Sequence, residues 1–497
     1  MDATTVFLPR ASTGVAGLDE VLGGGWARTR MHLLEGSPGT GKTTIALQFL
    51  LAGAKAGESG IYISLAETEH ELRDGARSHG WVIDPSIEVF ELVPPDSVLD
   101  PEQHQSLLYS SDLELGEAIT RVFESIERLK PQRVVIDSLS EIRLLAQSSL
   151  RYRRQILALK HYFAKHNSTV VMLDDLTGET NDRAVHSIAH SVTQLEQLAP
   201  VYGAERRRMR VAKCRGQSFR GGFHDFVIGA GGVQVFPRLV AADQRKGFSG
   251  SSLASGIAEL DTLVGGGLPS GSSTLFIGPA GTGKTLLVMQ YVQETVKRGD
   301  RAAMFVFDEE LGLLFSRAKG MGIDLAGMRE AGKLVIQQMD AAELSPGEFS
   351  HRVRTAVDRD NIRMVAIDSL NGYQASMPEE QFLTLHIHEL LQYLNRRGAS
   401  TFLTLAQSGM VGEMKTPVDL TYLADSVIML RYFEALGRVR RAMSTIKKRG
   451  GAHEDTIREF RITAEGVQVG EPLHEFQGVL RGVPSFVGRS DALMERA

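Results

Sequence analysis

The chain's 497 residues exceed a typical single domain and allow roughly two to four, while 42% hydrophobic and 23% charged residues make an ordinary globular composition. A formal net charge of −5 supplies no overall attraction for nucleic acid or acidic membranes, and the single cysteine, Cys214, excludes an intrachain disulfide and suits a reducing compartment. With no signal-peptide pattern and no run of about 18 apolar residues, the expectation is a cytoplasmic protein without a membrane span.

In chain order, Gly14-Val-Ala-Gly-Leu-Asp-Glu-Val-Leu-Gly-Gly-Gly25 leads into Met31-His-Leu-Leu-Glu, an apolar run of the kind that forms a buried parallel strand. Then comes Gly36-Ser-Pro-Gly-Thr-Gly41-Lys42-Thr43, which fits G-x-x-x-x-G-K-[ST], followed by an apolar helical stretch from Thr44 to Leu51. Glycines let backbone N–H groups close around phosphates, the helix adds its positive end, and Lys42 adds a point charge. The Thr43 hydroxyl is the Mg2+ ligand that such a loop needs. Further strands are expected over Gly60 to Leu65, Val134 to Asp137 and Thr169 to Leu173, with Glu67 just past the first of these and Asp137 closing the second as a Walker B strand does. A helix is expected over Ser149 to His166, ended by Asn167 as a left-handed cap. The basic run Glu205-Arg-Arg-Arg-Met-Arg210 reads as a turn between two strands, and Lys213-Cys-Arg215-Gly follows it.

After the polar, Gly/Ser-rich stretch 241–252, the same landmarks return in the same order. Gly256-Ile-Ala-Glu-Leu-Asp-Thr-Leu-Val-Gly-Gly-Gly267, the strand Ser273 to Ile277, Gly278-Pro-Ala-Gly-Thr-Gly283-Lys284-Thr285 and the helical run Leu286 to Val292 repeat the first half. Strands over Ala302 to Phe307, Met364 to Asp368 and Thr401 to Leu405, a helix over Glu380 to Arg397 capped by Gly398, and Lys447-Lys-Arg449-Gly complete the copy. A tandem duplication of a domain of about 230 to 240 residues follows: residues 1–240, a linker over 241–252, residues 253–480, and a tail over 481–497. Strand and helix alternation gives the fold class as α/β, two tandem RecA-like P-loop ATPase domains, each a mostly parallel sheet flanked by helices, with ligands at the carboxyl ends of the strands. ATP and Mg2+ are the expected cofactors.

These motifs together resemble the KaiC family, the two-domain ATPases and autokinases of the cyanobacterial clock and their relatives in other bacteria, over roughly residues 10 to 485. The resemblance implies a homohexameric double ring with ATP between neighbouring copies, regulatory protein partners, and nucleotide contacts from Gly39, Thr40, Gly41, Lys42, Thr43, Thr44, Ser78 and Asp137. In the second domain it implies contacts from Gly281, Thr282, Gly283, Lys284, Thr285, Leu286 and Asp368. Where the family carries two adjacent glutamates, this chain has Ala66-Glu67 and Asp308-Glu309. Glu67 is therefore expected to orient the attacking water in a slow hydrolase. Asp308 and Glu309 are expected to serve hydrolysis or hydroxyl phosphorylation, with Glu309 also a metal ligand beside Thr43 and Thr285 in their respective sites. Lys213, Arg215, Lys447 and Arg449 match positions that reach a neighbour's phosphates, an arginine finger supplied in trans.

The family's phosphorylated Ser/Thr pair aligns with Thr421 and Tyr422, with Thr416 and Ser426 as nearby alternatives, so any autokinase reaction is expected in the second domain. The tail beyond Gly482-Val-Pro484 is shorter than the clock protein's regulatory tail. His386 and His388 sit two apart in a helical segment and point to different faces, which argues against a shared metal. Two other classes compete with a hexameric ATPase: a RecA-type DNA-handling motor, for which basic aromatic loops are wanting, and a nucleotide-gated scaffold with negligible turnover, which Ala66 favours for the first ring.

Overall fold

The computed structural model describes residues 9–91, 120–146, 148–176, 184–200, 202–240, 251–375, 380–409, 420–481 and 485–486. The chain forms two compact units, Met1–Arg238 and Leu239–Ala497. Each is built on one nine-stranded sheet.

In the first unit the strands are β1 (Met31–Gly36), β2 (Gly60–Ser64), β3 (Ile87–Glu91), β4 (Arg133–Asp137), β5 (Thr169–Asp174), β6 (Ser191–Leu198), β7 (Arg206–Cys214), β8 (His224–Gly229) and β9 (Gly232–Phe236). Their order is β9-β8-β7-β6-β1-β5-β4-β2-β3. From β6 to β3 the pairing is parallel, and β6 to β9 add an antiparallel extension. Every residue of β1 is buried, because β1 sits mid-sheet between β5 and β6. Strand order reverses on either side of β1, so the loop leaving its carboxyl end opens at the switch point where ligands of such sheets bind.

That loop turns into α1 (Lys42–Lys55), whose preceding Gly41 has φ 93°. A Cβ there would sit 2.6 Å from Ile228 Cδ1 of β8, so glycine is required both by backbone angle and by space. α1 buries Ile45, Ala46, Phe49 and Leu50 against the sheet, each large side chain contributing about 1.5–3 kcal/mol by burial. α2 (Glu69–Ser78) opens with a capping box between Thr68 and Glu71, and α3 (Ser149–Lys165) opens on Ser148 and closes ahead of Asn167, which has φ 58°.

The second unit repeats this plan. Its strands are β10 (Ser273–Gly278), β11 (Ala302–Val306), β12 (Leu334–Gln338), β13 (Met364–Asp368), β14 (Ser400–Ala406), β15 (Ser426–Ala435), β16 (Arg438–Lys448), β17 (Arg458–Thr463) and β18 (Gly466–Pro472), ordered β12-β11-β13-β14-β10-β15-β16-β17-β18. α4 (Lys284–Lys297) follows its P-loop, α5 (Leu311–Lys319) starts on Glu310, α6 (Pro346–Asp360) starts on Ser345, and α7 (Glu380–Arg397) ends at Gly398 with φ 73°.

Two expectations need correction. The basic run after Glu205 is no turn: Arg206–Arg210 opens β7. Met209 and Val211 face the core while Arg208 and Arg210 lie 4.1 and 5.2 Å over the Phe223 ring, so the strand's period-2 alternation hides behind long cationic stems. Ser252 is already in a short strand with Leu253, paired to Leu268–Pro269, so the second unit starts inside the expected linker. Residues 241–250 of that linker lie outside the described residues. In the expected tail, Ser485–Phe486 pairs with Phe476–Gln477.

The two cores are not chemical copies. At the first residue of β4, buried Arg133 meets Glu58 at 2.5 Å and donates to Phe49 O at 2.6 Å and Ser12 O at 2.8 Å, where β13 opens with Met364 in the same register. Removing Arg133 leaves Glu58 to Arg28 alone, at 2.5 Å, and leaves two carbonyls without their donor. Arg133→Ala is expected to destabilise the first unit by about 1–3 kcal/mol, the cost of leaving buried acceptors unsatisfied, read as a chemical-denaturation transition moving alone while that of the second unit stays put.

Candidate functional site

Both P-loop lysines are folded back into their own loops. Lys42, only 6% exposed, donates to Gly36 O at 2.7 Å and Ser37 O at 3.0 Å. Lys284, 8% exposed, donates to Gly278 O at 2.8 Å and Pro279 O at 2.7 Å. Thr40 and Thr282 brace the loops by donating to Ser37 O and Pro279 O, and Gly39, Gly41, Gly281 and Gly283 all have positive φ. Neither α1 nor α4 has a side-chain N-cap, unlike α2, α3, α5 and α6. The first-turn N–H groups of these two helices, each entered through a glycine, are left for an external acceptor. Buried cations, uncapped helix starts and left-handed glycines fit a polyphosphate.

In the first unit Asp137 Oδ2 accepts from Tyr62 OH at 2.5 Å and from Thr43 Oγ1 at 3.3 Å. Thr43, Thr44, Leu47, Glu67, Glu71, Leu72, Gly75 and His79 line a pocket of ≈ 260 Å³ beside the loop. Burial raises the Glu67 carboxyl above its ordinary range, with the charges of Asp137, Glu71 and Asp175 adding to the effect. Ser64 Oγ receives the Glu67 N–H at 3.0 Å and so fixes the turn that carries it. Ser78 does not join this pocket. It is exposed and donates to Gly75 O at 2.7 Å, while the next residue, His79, lines the pocket with Nε2 3.5 Å from Thr44 Oγ1.

In the second unit Asp368 accepts from Thr404 Oγ1, and Asp308 accepts from Ser369 Oγ. Glu309 forms an ion pair with Arg317 at 2.6 Å; burial raises its carboxyl, Arg317 opposes that, and Asp368 adds to it. Glu310 caps α5 by accepting from Leu313 N at 3.0 Å, a structural task that separates it from the acidic pair. Leu286 is buried on α4. No group of three or more His, Cys, Asp or Glu able to hold a metal occurs among the described residues. His386 is bonded to Ser350 and Tyr373 while His388 is exposed, so the two do face apart.

Asp175 is the residue that sequence reasoning missed. It lies just past β5 with Oδ1 2.8 Å from Lys42 Nζ; the register of β14 puts Ala406 at the equivalent point. An acid following a strand's carboxyl end was the available signal, the same one that marked Glu67. Lys284 has no carboxylate within ion-pair distance among the described residues, and burial lowers its ammonium to about 8.

The four basic residues after the antiparallel strands are held by backbone carbonyls. Lys213 donates to His186 O and Ala189 O, and Arg215 to Ser187 O at 2.7 Å. Lys447 donates to Thr421 O at 2.9 Å, Tyr422 O at 3.3 Å and Ala424 O at 2.8 Å, and Arg449 to Tyr422 O at 2.7 Å. The structure thus brings the expected acceptor pair onto the expected finger. Tyr422 is 53% exposed, and Ser426 is 1% exposed at the start of β15. Ser426 is therefore corrected as an acceptor, since its hydroxyl lies inside the sheet; Thr416 lies outside the described residues.

A family model described as ATPase: KaiC matches residues 11–240 and 253–474. The chain belongs to the KaiC ATPase family. KaiC-family relatives include circadian clock protein KaiC3 of Synechocystis sp., 27% identical over 496 residues, covering 99% of this chain and 97% of the relative. Circadian clock oscillator protein KaiC of Parasynechococcus marenigrum is 29% identical over 489 residues, covering 97% and 94%, and that of Acaryochloris marina is 28% identical over 491 residues, covering 98% and 93%. The two sheets are accordingly tandem RecA-like domains of an ATPase family. No helix among the described residues is long and apolar enough to cross a membrane.

The lowered Lys284 ammonium has a pH consequence. The free protein begins to lose this proton near pH 8 rather than near its ordinary value of 10.5, and an arriving phosphate chain favours the protonated form. Nucleotide binding then takes up a proton above pH 8, so affinity at the second P-loop should fall by up to about tenfold per pH unit from there toward the ordinary lysine value. Titration of a fluorescent ATP analogue into the Lys42→Ala chain at stepped pH checks this.

Proposed function

We propose that the protein binds Mg-ATP in both P-loops, assembles with it into a double-ring homohexamer, hydrolyses ATP at the interfaces between copies, and phosphorylates itself in the second domain as a signalling or timing hub. The observation that carries this reading is the pair of buried lysines, each at the head of a helix without a side-chain cap and each facing a Walker B aspartate. The relatives bear the names of circadian clock proteins, which supports the timing role.

Bound Mg-ATP supplies the phosphoanhydride and the metal charge. Lys42 and Lys284 would hold the phosphate chain, and Thr43 with Asp137, and Thr285 with Asp368 and Glu309, would hold the metal or its waters. Glu67, its carboxyl raised chiefly by burial, accepts a proton from the attacking water at its carboxylate. Asp308 and Glu309 do the same in the second domain for water or for the Thr421 hydroxyl. Lys213, Arg215, Lys447 and Arg449 neutralise charge on a neighbouring copy's phosphates. A DNA-handling motor draws little support: Arg208 is paired with Glu196 at 2.8 Å and stacked on Phe223, so the basic run is spent within the fold.

Mixing two inactive chains tests the trans assignment. A chain carrying Arg215→Ala and Arg449→Ala, combined with one carrying Lys42→Ala and Lys284→Ala, is expected to regain ATPase activity at hybrid interfaces. Native mass spectrometry should show hexamers with Mg-ATP and smaller species without it. Absence of recovery in every mixing ratio, with hexamers present, would place the arginines in a structural role.

For the kinase half, Glu309→Gln should cut phosphate incorporation by about 10²- to 10⁴-fold, the usual worth of a general base, while Glu67→Gln leaves it nearly unchanged. Peptide mapping after Mg-ATP incubation should find phosphate on or within a few residues of Thr421. Phosphate confined to residues 1–240, or none while ATP is still hydrolysed, leaves an ATPase that is no kinase.

A further inference from the structure

A cavity of ≈ 280 Å³ opens in the first unit at the amino end of β1, away from the P-loop that leaves β1's carboxyl end. Arg30, Lys160, Arg215 and His190 line it, with the small polar residues Thr29 and Ser168 and an otherwise apolar floor. None of the three cations has an ion-pair partner among the described residues. Arg30 donates to Thr29 O at 3.1 Å, Lys160 to Ile188 O at 3.0 Å and Arg215 to Ser187 O at 2.7 Å, so each keeps further donors unspent. The His190 Nε2 atom is buried without a partner. Burial, with Arg30 and Arg215 beside it, keeps that imidazole below its ordinary value, so it is neutral at physiological pH.

The duplicated domain serves as a control. There the residue in register with His190 is Asp425, which accepts from Ser273 N and Ser273 Oγ at 2.9 Å and lies 3.5 Å from Arg449. The equivalents of Arg30 and Lys160 are Ser272 and Leu391 by the same alignment of strands and helix ends. One unit neutralises its basic finger with a carboxylate; the other omits the carboxylate and adds two cations. Unpaired guanidinium and ammonium groups converging on a small recess are arranged for an oxyanion that can take several charge-assisted hydrogen bonds.

We infer that this recess of the first unit is an oxyanion site separate from both P-loops, of a size and charge for a phosphate group, and that free phosphate occupies it in the nucleotide-free chain. The inference stands whether or not the chain forms hexamers. Phosphate oxygens could also arrive on a nucleotide held by a neighbouring copy, so the test uses inorganic phosphate without nucleotide. Binding is followed by phosphorus NMR line broadening and by the melting temperature of the full chain.

Phosphate is expected to bind wild type and the Lys42→Ala, Lys284→Ala double variant alike. It should bind Arg30→Gln and Lys160→Met about tenfold more weakly each, and His190→Asp, which copies the second unit, should lose it. Arg30 is exposed and Lys160 only half-buried, so these two variants should keep wild-type circular dichroism and phosphate-free melting. Loss of binding in the double P-loop variant would assign the phosphate to the P-loops and overturn the inference. Unchanged affinity in both Arg30→Gln and Lys160→Met, or no binding by the nucleotide-free wild type, would also overturn it, the last outcome leaving the recess to a neighbour's nucleotide.

Discussion

Burying a lysine ammonium without a full complement of acceptors is costly, and each domain does it at the mouth of its central strand. Two loop carbonyls hold Lys42 and two hold Lys284. The surrounding features follow from that choice. Glycines with positive φ let the loop turn its carbonyls inward, the next helix starts uncapped, and the aspartate-bearing strands β4 and β13 lie one strand away from β1 and β10, across β5 and β14. A polyphosphate relieves the cost by giving each lysine and each helix start an anionic partner, so binding and local stability are coupled.

Duplication of the fold has not kept the chemistry uniform. Asp175 gives Lys42 an internal carboxylate partner, whereas Ala406 leaves Lys284 with carbonyls alone. Tyr62 and Thr43 hold Asp137, whereas Thr404 holds Asp368. Ala66 removes one carboxylate from the first site, and Asp308 keeps it in the second, anchored by Ser369. The first domain thus starts from an internally compensated lysine and a single raised glutamate. The second starts from an uncompensated lysine beside two acids, a better starting point for proton removal from a hydroxyl.

The fastening of Lys447 and Arg449 to the carbonyls of Thr421, Tyr422 and Ala424 ties the proposed finger to the proposed acceptor segment in one contact set. Any movement of these cations away from the fold gives up hydrogen bonds that position residues 421–424. In the first domain Lys213 and Arg215 hold the carbonyls of His186, Ser187 and Ala189 in the same way, without a Ser/Thr pair in the aligned place.

Sequence by itself determined the repeat, the α/β class, the two phosphate loops, the Walker B aspartates and the four central parallel strands of each sheet, because those depend on local spacing and on runs of apolar residues long enough to be unambiguous. Helix α7 and the caps at Asn167 and Gly398 were legible for the same reason. Tertiary structure decided what depends on contacts between distant segments. That the arginines after Glu205 lie in a strand rests on Phe223 and on the pairing of β7 with β6 and β8. That Asp175 reaches Lys42, that His79 rather than Ser78 lines the pocket, that Ser426 is sealed in the sheet, and that Arg30, Lys160, His190 and Arg215 converge all depend on strand order, in which neighbours in space are far apart in the chain. Local pattern carries no information about which strand lies beside which, and that adjacency is what sets charge against charge.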